Sequence, residues 1–183
     1  MRLKTNFSKK NKTRCLDDIA SHLSASIWKI ATDGVLNLEN EGFDTTNQLG
    51  RLVIICEYAI YCITLLDRKL YYDDYKNRAE LLNSLSKSFA IIYEDNKLDF
   101  TENKNKQNFQ QEFISILNQR LNDYSKFDYD KKSGASFGLK RLFAHNVSLK
   151  MGDKDNKWIG DLIIDQECYD IQQTLNKATR QIL

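Results

Sequence analysis

Proline is absent from this chain of 183 residues, and histidine is nearly so. Because proline interrupts regular helices, its absence is typical of long helices joined by polar loops, although a β protein can also lack it. The two histidines, His22 and His145, belong to no H-E-x-x-H or E-x-x-H arrangement. We therefore predict neither a metal site nor a bound cofactor.

Cysteine is scarce as well, and the four cysteines form no C-x-x-C pair. Cys56 and Cys62 would project about 120° apart on one helix, so they cannot bridge each other. Both lie among apolar neighbours, as do Cys15 and Cys168. Thiols in such surroundings are typical of the core of a cytoplasmic protein, where they stay reduced. The spacing predicts no structural zinc site.

Long hydrophobic runs are missing too. The most apolar segment, 52–66, has 15 residues with Glu57 near its middle, whereas a membrane span needs about 20 residues. Asp17 and Asp18 follow the basic start of the chain, where a signal peptide would need an apolar run. We therefore expect no transmembrane segment, no signal peptide and a cytoplasmic protein.

An excess of one charge sign occurs only at the start of the chain. Residues 1–14 carry six basic and no acidic side chains, so the remainder of a chain of net charge +2 carries −4. We predict a flexible basic tail at 1–13 and a single helical domain at 14–183. The small net charge argues against a nucleic-acid partner, except one that is bound through the tail.

The chain does contain enough apolar residues for a helical core. They make up 42% of the sequence, and they recur at three- and four-residue steps. This periodicity predicts an all-α, single-domain bundle of about six helices. The predicted helices span about 14–38, 47–70, 73–93, 109–126, 136–146 and 156–183.

The second predicted helix, about 47–70, is apolar on nearly every side, and we expect it to be the central one. Asp73 or Asp74 is the predicted N-cap of the third helix, because a short acidic side chain suits a helix start. The polar residues 94–108 are predicted to form the longest loop, and 127–135 are predicted to form another.

A polar stripe crosses the central helix, on which Glu57 and Tyr61 fall near one line at about 100° per residue. A carboxylate in so apolar a helix is costly to bury unless it is paired. Arg120 shares a face of the fourth helix with Tyr124 and apolar residues. We hypothesise that Glu57 and Arg120 meet, with Tyr61 or Tyr124 completing their hydrogen bonds. The favoured interpretation is a structural ion pair; the alternative is a pocket in which Glu57 is an acid, a base or a ligand anchor.

The stretch 134–138 matches the G-x-S-x-G nucleophile elbow. No strand is predicted before it and no parallel sheet elsewhere, so we do not predict a hydrolase. A milder alternative is an anion site at the start of the fifth helix, where backbone N–H groups meet basic side chains. An ordinary solvated basic loop is the favoured interpretation. The candidate anion-binding residues are Lys131, Lys132, Ser136, Lys140 and Arg141.

Two classes of function remain. The leading prediction is a non-catalytic interaction or regulatory protein that uses its helical surface to bind a protein partner, or a second copy as a homodimer. The alternative is a small-ligand-binding protein or enzyme with a polar pocket formed by Glu57, Tyr61, Arg120 and Tyr124. An exposed apolar patch over a filled core would favour the first class, and a cavity around Glu57 would favour the second.

Overall fold

The computed structural model of the protein describes residues 15–101, 108–151 and 158–183, so the predicted tail at 1–13 lies outside the described residues. The predicted all-α single-domain bundle is confirmed. The helices are α1 (Leu16–Asn40), α2 (Gln48–Tyr72), α3 (Arg78–Phe100), α4 (Phe109–Tyr124), α5 (Phe137–Ser148), α6 (Ile159–Leu162) and α7 (Cys168–Ile182). A π-helical turn, Ile163–Glu167, joins α6 to α7 without a break, and we call the continuous run 159–182 the C-terminal helix.

The central position predicted for the second helix is confirmed. Every residue of α2 from Ile54 to Leu66 is buried, because α1, α3, α4, α5 and α7 all pack against it. A helix can be surrounded in this way only if it is apolar on all sides. The core of the protein is therefore built around α2, and α1, α3, α4, α5 and α7 pack against it.

Among the described residues, α2 is also the one helix long and apolar enough to cross a membrane by length and composition. It has 25 residues, and its most apolar window has a mean hydropathy of 1.8. The apolar run 52–66 is therefore only part of this helix. Of that window, 78% is buried inside the protein, as in the core helix of a bundle.

The predicted loop at 94–108 is wrong for its first part, because α3 continues to Phe100. The polar residues there form the contact between α3 and α4 and not a loop. Lys97 Nζ lies 2.6 Å from Glu112 Oε1, and Gln110 donates a hydrogen bond to Glu94. This stretch remains helical although it is polar, because its side chains pair with those of the neighbouring helix. Residues 102–107 lie outside the described residues.

The predicted N-caps of the third helix are also wrong. Asp73 ends α2, where its carboxylate binds Lys69 one turn earlier, and α3 begins only after Asn77. Asp74 has a φ of 50°, a left-handed conformation that helps to reverse the chain between the two helices. Both acidic residues therefore belong to the turn and not to the start of α3.

The predicted loop at 127–135 contains a small hairpin of two antiparallel strands, Tyr129–Asp130 and Gly134–Ala135. The turn closes because the Asp130 carboxylate accepts hydrogen bonds from the backbone N–H groups of Lys132 and Ser133. Gly134 has a φ of 82°, which favours glycine at this position. The hairpin delivers the chain to the start of α5.

Three of the four cysteines are buried as predicted, but Cys15 is exposed. Its sulfur accepts the backbone N–H of Asp18 at 3.4 Å, so it caps α1 at the edge of the bundle. Burial raises the pKa of the Cys168 thiol to about 12 and raises the pKa values of Cys56 and Cys62 as well. These three thiols are therefore protonated and unreactive at neutral pH.

Candidate functional site

Glu57 and Arg120 meet in the structure, as the sequence predicted. Arg120 Nε lies 2.9 Å from Glu57 Oε2, and Arg120 Nη2 lies 2.8 Å from Glu57 Oε1. The Glu57 side chain is 3% exposed and that of Arg120 is 15% exposed. The hydrogen bonds to Glu57 raise the pKa of Arg120 further above its usual range. Both carboxylate oxygens thus accept from a permanent cation.

This geometry explains how a charge is accommodated in the most apolar helix of the protein. A bidentate guanidinium–carboxylate pair has the strong, directional hydrogen bonds that offset part of the cost of removing two ions from water. Arg120 follows the buried Leu117 by one turn on α4, so the stem of its side chain leads inward. The pair joins α4 to α2, and the guanidinium of Arg120 occupies both oxygens of the carboxylate.

The two tyrosines do not complete this pair, and that part of the hypothesis is wrong. Tyr124 accepts a hydrogen bond from Asn146 Nδ2 at 3.3 Å and makes none to Glu57 or Arg120 within the described chain. The ring of Tyr61 stacks on that of Phe143 with 4.2 Å between centroids. Burial, followed by the neighbouring Cys168 thiol, raises the pKa of Tyr61. Of the four predicted pocket residues, Glu57 and Arg120 therefore pair with each other, whereas the two tyrosines contact residues of α5.

The sequence analysis missed a second buried carboxylate, Glu167. It is the last residue of the π-helical turn, and it is 5% exposed. Asn37 of α1 donates a hydrogen bond to Glu167 Oε1 at 3.2 Å. Tyr58 of α2 is close enough for the carboxylate to raise its pKa, after the larger effect of burial. Three helices thus meet around one ionisable group.

Glu167 is less completely paired than Glu57. No described protein group forms a hydrogen bond with the hydroxyl of the neighbouring Tyr58. Burial raises the pKa of Glu167, an effect that the hydrogen bond from Asn37 offsets only in part. Breaks from α-helical to π-helical hydrogen bonding are frequent at functional sites. Chemically, this arrangement can hold a proton more tightly than a solvated carboxylate.

The raised pKa of Glu167 predicts a pH dependence of stability. The native state binds the proton more tightly, so the contribution is fully present below the unfolded pKa of about 4.3 and is lost as pH rises through the folded pKa. Glu167→Gln keeps an acceptor for Asn37 and removes the charge. We expect the variant to match or exceed the wild type at neutral pH by up to about 1 kcal/mol, and to lose this relative advantage on acidification.

Urea denaturation of both proteins at several pH values from about 4 to 8 measures this difference. All other titratable groups are the same in the two proteins, so their contributions cancel in the comparison. A difference between the two free energies of unfolding that stays constant with pH would show that the Glu167 carboxylate titrates as it does in the unfolded chain.

The candidate anion-binding residues are not gathered around the start of α5. Lys131 Nζ lies 3.0 Å from Asp73 Oδ1 and donates to the carbonyl oxygen of Tyr72, so it is held by the end of α2. The side chains of Lys132 and Arg141 are exposed, whereas Lys140 is half-buried. The anion site stays a prediction, and the geometry gives it little support.

Ser136, the serine of the G-x-S-x-G match, has a structural role. Its hydroxyl accepts the backbone N–H of Leu139 at 3.4 Å and thereby caps α5. The strand before it belongs to a two-residue antiparallel hairpin, whereas the nucleophile elbow requires a parallel-sheet strand that leads into a helix. The local geometry therefore matches a helix cap.

The solvent-facing side of α5 carries large apolar residues. Phe137 is 65% exposed, and Leu149, just past the helix end, is 63% exposed. Arg141 and His145 lie between them at steps of four residues, and both are exposed. These four residues share one face of the helix. We call them the basic stripe.

A second stripe follows the solvent-facing side of the C-terminal helix. Trp158, immediately before α6, is 74% exposed, although it lies within the last predicted helix, 156–183. Tyr169 is 61% exposed, and the exposed Asp161 and Asp165 lie between the two aromatic residues. We call these four residues the acidic stripe.

The chain matches no protein-family model, no curated protein and no solved structure. Among the described residues, no group of three or more His, Cys, Asp or Glu side chains is placed to hold a metal ion. The function is therefore inferred from the two buried carboxylates, Glu57 and Glu167, and the two surface stripes.

Proposed function

We propose that the protein is a non-catalytic interaction protein that binds a protein partner through the surface formed by α5 and the C-terminal helix. The observation that carries the proposal is the exposure of four large apolar side chains on these two neighbouring helices, each more than 60% exposed: Phe137, Leu149, Trp158 and Tyr169. Single exposed apolar residues are ordinary on a protein surface, but several on one supersecondary unit are typical of an interaction site.

The residues of the two stripes are suited to a protein interface. Tryptophan, tyrosine and arginine contribute most to binding energy in interfaces, and Trp158, Tyr169 and Arg141 are of these types. Within the described parts of the chain, Arg141, Asp161 and Asp165 form no ion pair. No described neighbour therefore neutralises the charges of these three residues.

The ligand-binding alternative has weaker support. It requires a Glu57 carboxylate that can reach a ligand, but both oxygens of Glu57 already accept from Arg120. The aromatic rings next to the pair pack closely, with Tyr61 stacked on Phe143 and edge-to-face with Tyr124. Removing either ionic partner would expose a buried charge, which is the property of a structural pair.

A binding experiment with matched variants tests the interaction. Immobilised wild-type protein, Phe137→Ser/Trp158→Ser, and Ile91→Ser are each incubated with a lysate of cells that express the protein. Ile91 is 50% exposed on α3, away from the stripes, and serves as the control. We expect at least one protein to be retained by the wild type and by Ile91→Ser, and to be reduced about tenfold or more by the double variant.

The retained protein would then be purified, and its affinity for the same three proteins measured by titration. Equal retention by all three proteins, or an equal loss with Ile91→Ser, would contradict the proposed surface. Circular dichroism of each variant checks that the helices are intact.

A further inference from the structure

The two stripes have complementary patterns. Along α5, the basic stripe reads apolar, basic, basic, apolar, from Phe137 to Leu149. The acidic stripe reads aromatic, acidic, acidic, aromatic, from Trp158 to Tyr169. At about 1.5 Å per residue, they span about 18 Å and about 17 Å, so their lengths match as well.

The helices that carry the stripes run antiparallel and side by side. α5 packs against α6 and the π-helical turn. Gly134, just before α5, approaches the side chain of Gln172 on α7. The start of α5 therefore lies beside α7, and its end lies beside α6. Phe137 is thus at the same end of the pair as Tyr169, and Leu149 is at the same end as Trp158.

We propose that the partner of this surface is a second copy of the chain, bound about a twofold axis parallel to the two helices. Such an axis places α5 of each copy over the C-terminal helix of the other. Four rows of contacts result across the interface. Phe137 faces Tyr169 of the other copy, Arg141 faces Asp165, His145 faces Asp161, and Leu149 faces Trp158.

Each row joins chemically matched groups, and the twofold axis repeats all four. Apolar and aromatic side chains pack at both ends of the interface. Between them, Arg141 and Asp165 have opposite charges, and His145 and Asp161 can form a hydrogen bond. A copy turned about an axis perpendicular to the helices would place Arg141 over His145 instead, which brings two basic groups together. The charge pattern therefore selects the arrangement in which α5 lies over the C-terminal helix.

The size of the surface sets the expected strength. Two helices about 10 Å apart and about 18 Å long offer roughly 400 Å² per copy, about half of a standard interface. We therefore expect a weak, reversible dimer with a dissociation constant of about 10–100 μM. This inference rests on the proposed function, since it names the partner of the same surface.

Charge reversal at one row gives a sharp test. Arg141→Glu alone places two carboxylates opposite each other at two symmetry-related sites, and Asp165→Arg alone places two guanidinium groups opposite each other. Each variant is expected to dimerise at least about tenfold more weakly than the wild type. An equal mixture of the two is expected to recover dimers, because both rows then join opposite charges. Recovery on mixing requires contact between copies and does not follow from contact within one.

Sedimentation velocity of the purified full chain up to about 500 μM measures the dissociation constants. A reducing agent is included because the exposed Cys15 could otherwise link copies covalently. A wild-type protein that stays monomeric, single variants that dimerise like the wild type, or a mixture that fails to recover dimers would each overturn the inference. If the wild type stays monomeric while stripe-dependent binding of another protein persists, self-association is wrong and the proposed function stands.

Discussion

Arg120→Met is expected to lower the free energy of unfolding by about 3–5 kcal/mol. The substitution preserves most of the side-chain volume but leaves Glu57, 3% exposed on α2, without the cation that both of its oxygens contact. An ionised carboxylate without a partner in this position must either take up a proton or draw in water, and either change lowers the free energy of unfolding. Urea denaturation at neutral pH measures the loss.

Two further variants separate the ion pair from a functional pocket. Glu57→Leu/Arg120→Met replaces the buried pair by apolar groups and is expected to return the stability to within about 1 kcal/mol of the wild type. Arg78→Met removes a pair with Asp67 in which the side chains are 38% and 24% exposed, and should cost under about 1 kcal/mol. If the double variant were as unstable as Arg120→Met, the pair would contribute more to folding than the neutralisation of two buried charges by each other.

The sequence indicated this pair because the segment around its carboxylate is unusually apolar. Glu57 is the single acidic residue in a run that is otherwise apolar, so the cost of an isolated charge demands a partner. Few basic residues lie on the apolar face of another predicted helix, and Arg120 is one of them. The contacts of Tyr61 and Tyr124 could not be predicted from the sequence. They depend on α5, whose Phe143 and Asn146 contact the two tyrosines, and no periodicity indicates how that helix is placed.

Glu167 was missed for a different reason. The sequence analysis assumed a uniform helix over the last segment, with side chains at about 100° per residue. The π-helical turn at Ile163–Glu167 makes that turn wider, so the phase of the following residues shifts. The result is that Glu167 and Cys168 are both buried, although they are adjacent in sequence. A regular periodicity cannot predict where such an irregular turn occurs.

The surface stripes were only partly readable from the sequence. In the sequence, Arg141 was a candidate only for an anion site at the start of α5, and Trp158 was simply part of the last predicted helix. Both assignments considered a single helix at a time, whereas the stripes become apparent only when the packing of α5 against the C-terminal helix is known. The fold class and the central helix, in contrast, follow from periodicity within each segment, which is a local property.

Gly34→Ala is expected to destabilise the protein by about 2 kcal/mol, in spite of the better helix propensity of alanine. A Cβ on Gly34 of α1 would overlap Cε1 of Tyr58 and would lie 3.1 Å from a carboxylate oxygen of Glu167. The Tyr58 ring cannot move aside, because it is fully buried and packs edge-to-face against Phe143 with 5.0 Å between centroids. The helices α1 and α2 must therefore separate.

Gly160→Ala is the matched control. It also adds one methyl group to a helix, but nothing lies within 4 Å of the new atom, so we expect a gain of about 0.5–1 kcal/mol. Urea denaturation of both variants under the same conditions shows whether each substitution raises or lowers the free energy of unfolding. Adding Tyr58→Leu to Gly34→Ala should cost less than the sum of the single changes, because the smaller side chain relieves the overlap. A Gly34→Ala protein as stable as the wild type would contradict the close approach of α1 and α2.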